Sequence, residues 1–120
     1  MGLWLRPGTS VPYVPRVDRD KPAAEQRVFQ LAVMTAADYA AVQDAAIVDY
    51  ATEVRRGTHI LELLRRGIRG WSGPGAPAFE KDAQGFASSA SIDCLPGALR
   101  MELADQLDRI NTVGQDEGKA

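Results

Sequence analysis

The chain has 120 residues, of which 45% are hydrophobic and 25% charged, and its formal net charge at pH 7 is −2. This length allows one domain with one modest core. The slightly acidic balance disfavours non-specific nucleic-acid binding, which rewards a strongly positive surface. No apolar run approaches the roughly 20 residues that a membrane-spanning helix needs. We therefore expect a cytoplasmic, globular protein with no nucleic-acid partner and no membrane partner.

Cys94 is the single cysteine, so no disulfide can form within the chain. Nothing in this cysteine usage indicates secretion. Neither a basic residue nor a second cysteine flanks Cys94, and such neighbours are what lower a thiol's pKa. We expect a buried, structural thiol.

Residues 1–22 are predicted to form an extended arm, because Pro7, Pro12 and Pro15 fix their own φ angles and push the preceding residues towards extended geometry. Trp4 and Tyr13 make this arm apolar enough to lie against its own domain or a neighbouring subunit. We assign residues 23–113 to a single helix-rich domain and residues 114–120 to a polar C-terminal tail.

Partial alternation of apolar residues predicts a strand within residues 26–34, with Phe29 and Leu31 on one face. Thr35 followed by Asp38 is typical of a helix N-terminus, since a threonine caps backbone N–H groups and an acidic residue suits the first turn. The predicted helix continues to about residue 46.

Two further helices are predicted in the middle of the chain. The first covers residues 47–56 and is ended by Gly57, after which Thr58 caps the next helix, over residues 59–66. The apolar side of that helix is expected to consist of Ile60, Leu61, Leu64 and Ile68. Its outward side is expected to carry Glu62, Arg65, Arg66 and Arg69.

Residues 71–92 are predicted to be irregular or to form short strands, with Phe79 and Phe86 as anchors. The final helix is indicated by Pro96 in its first turn. Its core stripe is predicted to be Leu99, Leu103, Leu107 and Ile110. The fold expected is α+β and mostly α: a small single domain with a proline-rich arm, one or two short strands and three to four helices.

The residues with chemical potential do not assemble into a catalytic pattern. A lone histidine, His59, cannot supply a His-based metal site, and we expect it to be partly exposed near a helix start. Asp18 and Asp20 lie among cationic residues and are expected to form a solvated, ion-paired connector. The glycines of residues 67–75 lack the Lys-Ser/Thr of a phosphate-binding loop. We expect no catalytic residue, no metal and no cofactor.

Clustered arginines are the one-sided charge feature of the chain. Arg65 and Arg69 fall on one helix face, and a solvated surface is the leading interpretation, ahead of a partner-binding patch and of a nucleic-acid site. Trp71, after Gly70, is expected to cover a small apolar cluster where the chain turns. The candidate partner-binding residues are Trp4, Tyr13, Arg65, Arg66, Arg69 and Trp71.

Several stretches, taken in order, carry a family resemblance. They are residues 11–19, 25–31, 34–38, Leu64-Arg65-Arg66-Gly67-Ile68-Arg69-Gly70-Trp71, and Leu95-Pro96-Gly97-Ala98-Leu99-Arg100-Met101-Glu102-Leu103-Ala104 leading into Ile110-Asn111. Together they cover most of the chain. In this order they resemble small morphogenesis proteins of tailed bacteriophages, of the tail assembly chaperone type encoded just before the tape measure protein.

The resemblance implies a non-enzymatic phage protein that binds another tail or virion component and self-associates. For a chaperone, the client would be the helical tape measure protein, held soluble in the host cytoplasm until tail-tube subunits polymerise around it. Two alternatives remain open. One is a structural subunit of the virion, such as a connector or minor tail protein; the other is a small phage inhibitor of a host protein that docks through its arginines.

Overall fold

The computed structural model describes residues 4–45 and 56–113. Within those residues the chain forms a three-stranded antiparallel sheet and four α-helices. The strands are β1 (Ser10–Tyr13), β2 (Val28–Ala32) and β3 (Ile68–Ser72), and the helices are α1 (Ala36–Asp44), α2 (Arg56–Gly67), α3 (Ser89–Asp93) and α4 (Gly97–Val113). The expected class, a small helix-rich α+β domain, is confirmed, but the sheet has three strands where one or two were expected.

The strand predicted within residues 26–34 is confirmed as β2, and it is the central strand of the sheet. Its alternate residues Phe29 and Leu31 are buried, as period-two patterning requires. Phe29 lies opposite Tyr13 on β1 and opposite Trp71 on β3. One row of aromatic side chains therefore crosses the whole sheet.

A separate arm over residues 1–22 is not confirmed. Ser10–Tyr13 pairs with β2 as an edge strand, and Pro12 is tolerated there because an edge strand can spare an N–H group. Two short 3-10 turns, Arg16–Asp18 and Ala23–Glu25, then lead into β2. Pro15 and Asp18 are fully buried, so this segment belongs to the folded domain.

Helix α1 begins where its capping signal predicted. The Thr35 hydroxyl accepts a hydrogen bond from the backbone N–H of Asp38 at 3.1 Å. The helix ends at Asp44, close to the expected end. The helix predicted over residues 47–56 lies, except for its last residue, outside the described residues, as does the predicted tail over 114–120.

The start predicted for α2 is wrong, whereas its predicted end at residue 66 lies within one residue of the observed end. Gly57 and Thr58 lie inside the helix instead of ending one helix and capping the next. Gly67 is its last residue, and Ile68 enters the core from β3. The sequence placed Ile68 on the apolar face of the helix because a buried strand residue has the same apolar character as a residue in the core face of a helix.

The apolar face predicted for α2 is also partly wrong. Leu61 is 51% exposed, whereas Leu63 is 1% exposed. Helix α2 contacts α4 on one side and α1 and α3 on others, so its buried sector is centred between Leu63 and Leu64. The predicted face, which included Leu61, is therefore rotated about the helix axis away from the buried sector.

The C-terminal half adds one unpredicted helix and one predicted helix. Helix α3 lies mostly in a stretch predicted to be irregular; its N-cap is Ser88, whose hydroxyl accepts a hydrogen bond from the N–H of Ser91. Helix α4 directly follows Pro96, as expected. Its predicted stripe is confirmed, with three members buried and Leu99 packed against the core; the buried ones are Leu103, Leu107 and Ile110.

Polar side chains tie α4 to the sheet. The Asn111 side chain accepts a hydrogen bond from the N–H of Met34 at 2.7 Å and donates one to the carbonyl of Ala32 at 3.1 Å. At the other end, Glu102 accepts hydrogen bonds from the Tyr13 hydroxyl at 2.6 Å and from the Arg16 N–H at 2.9 Å. Helix α4 is therefore fixed at two points, nine residues apart in sequence.

We predict that Asn111→Ala lowers the free energy of unfolding by about 1–3 kcal/mol, because it leaves backbone groups of Met34 and Ala32 buried without partners. Equilibrium denaturation in urea measures the change. Thr112→Ala is the matched control: Thr112 is exposed and its hydroxyl bonds only within α4. The control is expected to stay within about 0.5 kcal/mol of the parent protein. Equal midpoints for Asn111→Ala and the parent would contradict this attachment.

We also predict unequal costs for alanine at two glycines of the loop after β3. Gly73 and Gly75 both have positive φ, +123° and +72°. A Cβ on Gly73 would lie 2.7 Å from the Cα of Arg27, whereas a Cβ on Gly75 would meet nothing within 4 Å. Gly75→Ala should cost about 1–2 kcal/mol from backbone strain alone. Gly73→Ala should cost more, and equal losses in thermal denaturation would refute the close approach to Arg27.

Candidate functional site

Tyr13, one of the predicted partner-binding residues, is buried. Its hydroxyl donates to Glu102 and accepts from the Arg19 guanidinium at 3.0 Å. Burial, with Glu102 as second cause, raises the pKa of Tyr13. The side chain thus connects β1 to α4 and leaves little surface for a partner.

Trp4, in contrast, is 84% exposed, and the neighbouring Leu5 is 37% exposed. A turn follows, in which the Thr9 N–H and hydroxyl both donate to the carbonyl of Arg6. Gly8, at the centre of this turn, has φ +88°, a value that glycine readily adopts. An ordered turn therefore holds a large apolar surface, here called the tip (Trp4 and Leu5), outside the domain.

Arg65 and Arg66 form ion pairs within the chain. Arg65 contacts Glu62 at 2.6 Å and Asp82 at 2.9 Å, and Arg66 contacts Glu62 at 2.7 Å and Asp38 at 2.8 Å. The two arginine side chains are only 23% and 18% exposed. The solvated surface favoured by the sequence is therefore wrong for these two residues, because carboxylates from α1, α2 and the loop before α3 surround them. The Arg65 hydrogen bond to Glu62 lowers the pKa of that carboxyl although burial opposes the shift.

Arg69 is placed by an irregularity in the sheet. Gln30 pairs with Gly70 and Leu31 pairs with Ile68, so Arg69 is the extra residue of a β-bulge. Bulges redirect side chains, and the Arg69 guanidinium lies 5.8 Å from the centre of the Phe86 ring.

The guanidinium groups of Arg65 and Arg66 lie over the same ring, at 5.1 and 4.9 Å. The three arginines proposed from sequence thus do come together, on Phe86. That ring, expected only to anchor its loop, is the centre of the group.

Trp71 lies within β3 instead of at a chain corner. Its ring meets those of Phe29 and Phe79 edge to face, with centroid distances of 5.9 and 4.8 Å, and its indole N–H donates to the carbonyl of Pro77 at 2.7 Å. A cavity of about 230 Å³, here called the aromatic pocket, opens beside it. Its lining comprises Arg27, Phe29, Trp71, Ser72, residues 74–77, residues 94–96 and Leu99.

A second concave surface lies between α2 and α4 and has a volume of about 420 Å³. We call it the α2–α4 groove. Its lining combines the apolar residues Ile60, Leu63, Met101 and Ala104 with the polar residues His59, Asp105 and Asp108. Met101 is 47% exposed.

Sequence reasoning did not find this groove. The available signal was Met101, an apolar side chain that lies off the Leu103–Leu107 stripe of the predicted helix. On the same wall, Asp108 accepts a hydrogen bond from the hydroxyl of Tyr39 on α1. Burial, then this bond, raises the pKa of Tyr39.

Asp18 corrects the prediction of a solvated connector. Its carboxylate is fully shielded from solvent and bonds the Arg27 guanidinium through both oxygens at 2.7 Å. The Arg27 N–H at 2.9 Å and the Lys21 ammonium at 3.1 Å complete the shell. This shell of polar partners, near the domain surface, is what hides Asp18.

The remaining candidates have structural surroundings. His59 is half-buried in α2, as expected, with Nδ1 3.3 Å from the carbonyl of Val42. Cys94 is exposed, so the expectation of a buried thiol is wrong.

Within residues 4–45 and 56–113, no three His, Cys, Asp or Glu side chains are grouped as they would be around a metal ion. No helix in this part of the chain is long and apolar enough to cross a membrane.

We predict a pH-dependent contribution from Asp18. Hydrogen bonds from the Arg27 side chain and backbone hold the pKa of the Asp18 carboxyl well below its usual range. Since an unfolded-chain aspartate titrates near about 3.9, this contribution is complete above that pH and disappears as the pH falls further. Asp18→Asn should therefore destabilise the protein most near neutral pH, and the difference should narrow below about pH 4.

Urea denaturation between about pH 3 and pH 7 measures this difference across the titration of Asp18. The exposed neighbour Asp20 provides the control, since Asp20→Asn should change stability by less than about 0.5 kcal/mol at neutral pH. A gap between Asp18→Asn and the parent that is constant over this range would contradict the role of the ionised carboxylate.

Comparison with known proteins adds no relative to this picture: no family model, no curated protein and no solved structure matches the chain. Function must therefore be inferred from the geometry of the described residues. The surfaces available for binding a partner there are the α2–α4 groove, the aromatic pocket and the exposed tip.

Proposed function

We propose that this chain is a non-enzymatic protein of bacteriophage tail or virion assembly, and that it binds a helical segment of another tail component in the α2–α4 groove. One observation carries the proposal. The groove lies between two helices, is lined by apolar side chains from both of them, and leaves 47% of Met101 exposed.

The shape of the groove suits a helix. Amphipathic helices bind such grooves by inserting apolar side chains at helical spacing. Ile60 and Met101 offer apolar contact area from the two walls, and Ala104 is small enough to allow close approach. Covering the exposed part of Met101 is favourable, since burial of apolar surface contributes about 25 cal/mol per Å².

The charge of the groove indicates the chemistry of its partner. Asp105 is exposed and Asp108 is half-buried, and both lie on the α4 wall. A helix that carries Lys or Arg beside its apolar stripe would complement this wall and would be steered towards it. The proposed ligand is therefore a basic amphipathic helix.

The identity of that ligand comes from the family resemblance. Tail assembly chaperones of tailed bacteriophages hold the long, helical tape measure protein, and a groove for amphipathic helices is what such a role needs. We accordingly propose the tape measure protein as the client and the host cytoplasm as the place of action.

A structural subunit of the virion is the second candidate, and the exposed tip at Trp4 favours it because such a surface suits contact between neighbouring subunits. Mass spectrometry of purified virions separates the two roles. A chaperone is absent from mature particles, whereas a connector or minor tail protein is present in fixed copy number. Among residues 4–45 and 56–113, no structural observation favours the inhibitor alternative, since Arg65 and Arg66 are held in ion pairs within the chain.

The groove proposal predicts that Met101→Lys weakens binding of the tape measure protein at least about tenfold, because a cation replaces apolar contact area and repels a basic helix. Leu61→Lys is the matched control. Leu61 is a helix-surface leucine with 51% exposure and does not line the groove. Co-expression followed by affinity purification, and then titration calorimetry with client segments, measures the effect.

Equal weakening by both lysine variants would place the binding surface elsewhere. Failure of the parent protein to co-purify with, or to solubilise, the tape measure protein would overturn the choice of client.

A further inference from the structure

We propose that the chain self-associates head to tail, with the tip (Trp4 and Leu5) of one copy seated in the aromatic pocket of the next. This interface is separate from the α2–α4 groove and does not rest on the function proposed for the groove. The partner is a second copy of this chain.

The tip is built to present apolar surface. A tryptophan that is 84% exposed leaves a large apolar side chain in water, which is costly unless a partner covers it. Hydrogen bonds from Thr9 to the carbonyl of Arg6 hold the turn behind the tip. The backbone N–H of Gly8 also donates to the carbonyl of Val33 at 3.1 Å, which joins this turn to the end of β2. Because this support is ordered, docking the tip freezes few backbone angles.

The aromatic pocket has the complementary character. Its cavity of about 230 Å³ is walled by Trp71, Pro74, Pro96 and Leu99. An indole ring entering there meets aromatic, proline and aliphatic surface together. The cation on the pocket wall, Arg27, is already bound to Asp18 and does not require an incoming anion.

Geometry favours docking between copies over docking within one chain. The tip is attached beside Val33, whereas the pocket wall begins at Phe29, about 13 Å away at the other end of β2. Within its own chain Trp4 is exposed, so it does not fill its own pocket. A tip at one end of the sheet and a pocket at the other form a heterologous pair, which builds rings or open chains of subunits.

Charge supports the same pairing. Arg6 follows the tip, and Asp93 directly precedes the pocket wall formed by residues 94–96; both side chains are exposed. A seated tip would bring this guanidinium towards this carboxylate, which favours encounter in the head-to-tail orientation.

Sedimentation velocity over a range of protein concentrations tests the association. The parent protein is expected to form oligomers as its concentration rises. Trp4→Ala should weaken the association constant at least about thirtyfold, as expected for a central tryptophan of an interface. Val17→Ala, which removes another apolar side chain that is 71% exposed, should leave it unchanged. A parent protein that stays monomeric, or oligomers that persist in Trp4→Ala, would overturn the proposal.

The exposed Cys94 on the pocket wall provides a direct test of the docked geometry. Leu5→Cys, oxidised with diamide, should join the introduced thiol to Cys94 of another copy and give a ladder of dimers and larger species on a non-reducing gel. Peptide mapping identifies the linked pair. Val17→Cys is the control and should give no ladder. Absence of the linkage to Cys94 in Leu5→Cys, or an equal ladder in the control, would refute the docking site.

Discussion

The attachment of α4 to the sheet is the constraint on which the rest of the structure depends. Leu103 and Leu107 are fully buried on one side of the helix, and Glu102 and Asn111 attach it at two points, to Tyr13 on β1 and to Ala32 at the end of β2. These attachments prevent rotation of α4 about its axis, so the helix has one orientation towards α2. The orientation that buries the two leucines also places Met101 on the wall of the α2–α4 groove. The core packing and the proposed binding surface are thus two sides of one helix.

The sequence predicted correctly those elements of the fold that depend on interactions between residues close together in the chain. Strand alternation around Phe29, the Thr35 cap and the α4 stripe were all correct because each depends on residues close together in sequence. The structure of Asp18 could not be predicted in this way, since its main partner, Arg27, is nine residues away and reaches it only after the intervening turns have formed. Because the segment around Asp18 is rich in charged residues, its composition predicted exposure to solvent. In the folded protein the Asp18 carboxylate is instead buried, with hydrogen-bond donors around it.

The candidate site was less predictable than the fold, for a related reason. The sequence predicts the arginines to form a surface, but Arg65 and Arg66 join α2 to distant segments of the chain through ion pairs. The two concave surfaces arise where elements far apart in sequence meet, so no single motif encodes them. Only Trp4 among the sequence-selected residues combines an apolar side chain with high exposure. We therefore propose two independent surfaces for assembly, the α2–α4 groove for a helix of another protein and the tip with the aromatic pocket for a second copy of this chain.

The central claim, that the α2–α4 groove holds a helix of the tape measure protein, can be tested most directly by methyl NMR with methionine labelling. Met101 lines the groove, whereas Met34 is buried in the core at 4% exposure, so one experiment contains its own internal control. On addition of client segments, the Met101 methyl signal is predicted to shift in a saturable manner, and the Met34 signal is predicted to change far less. Saturable binding of the client with an unchanged Met101 signal would contradict the account.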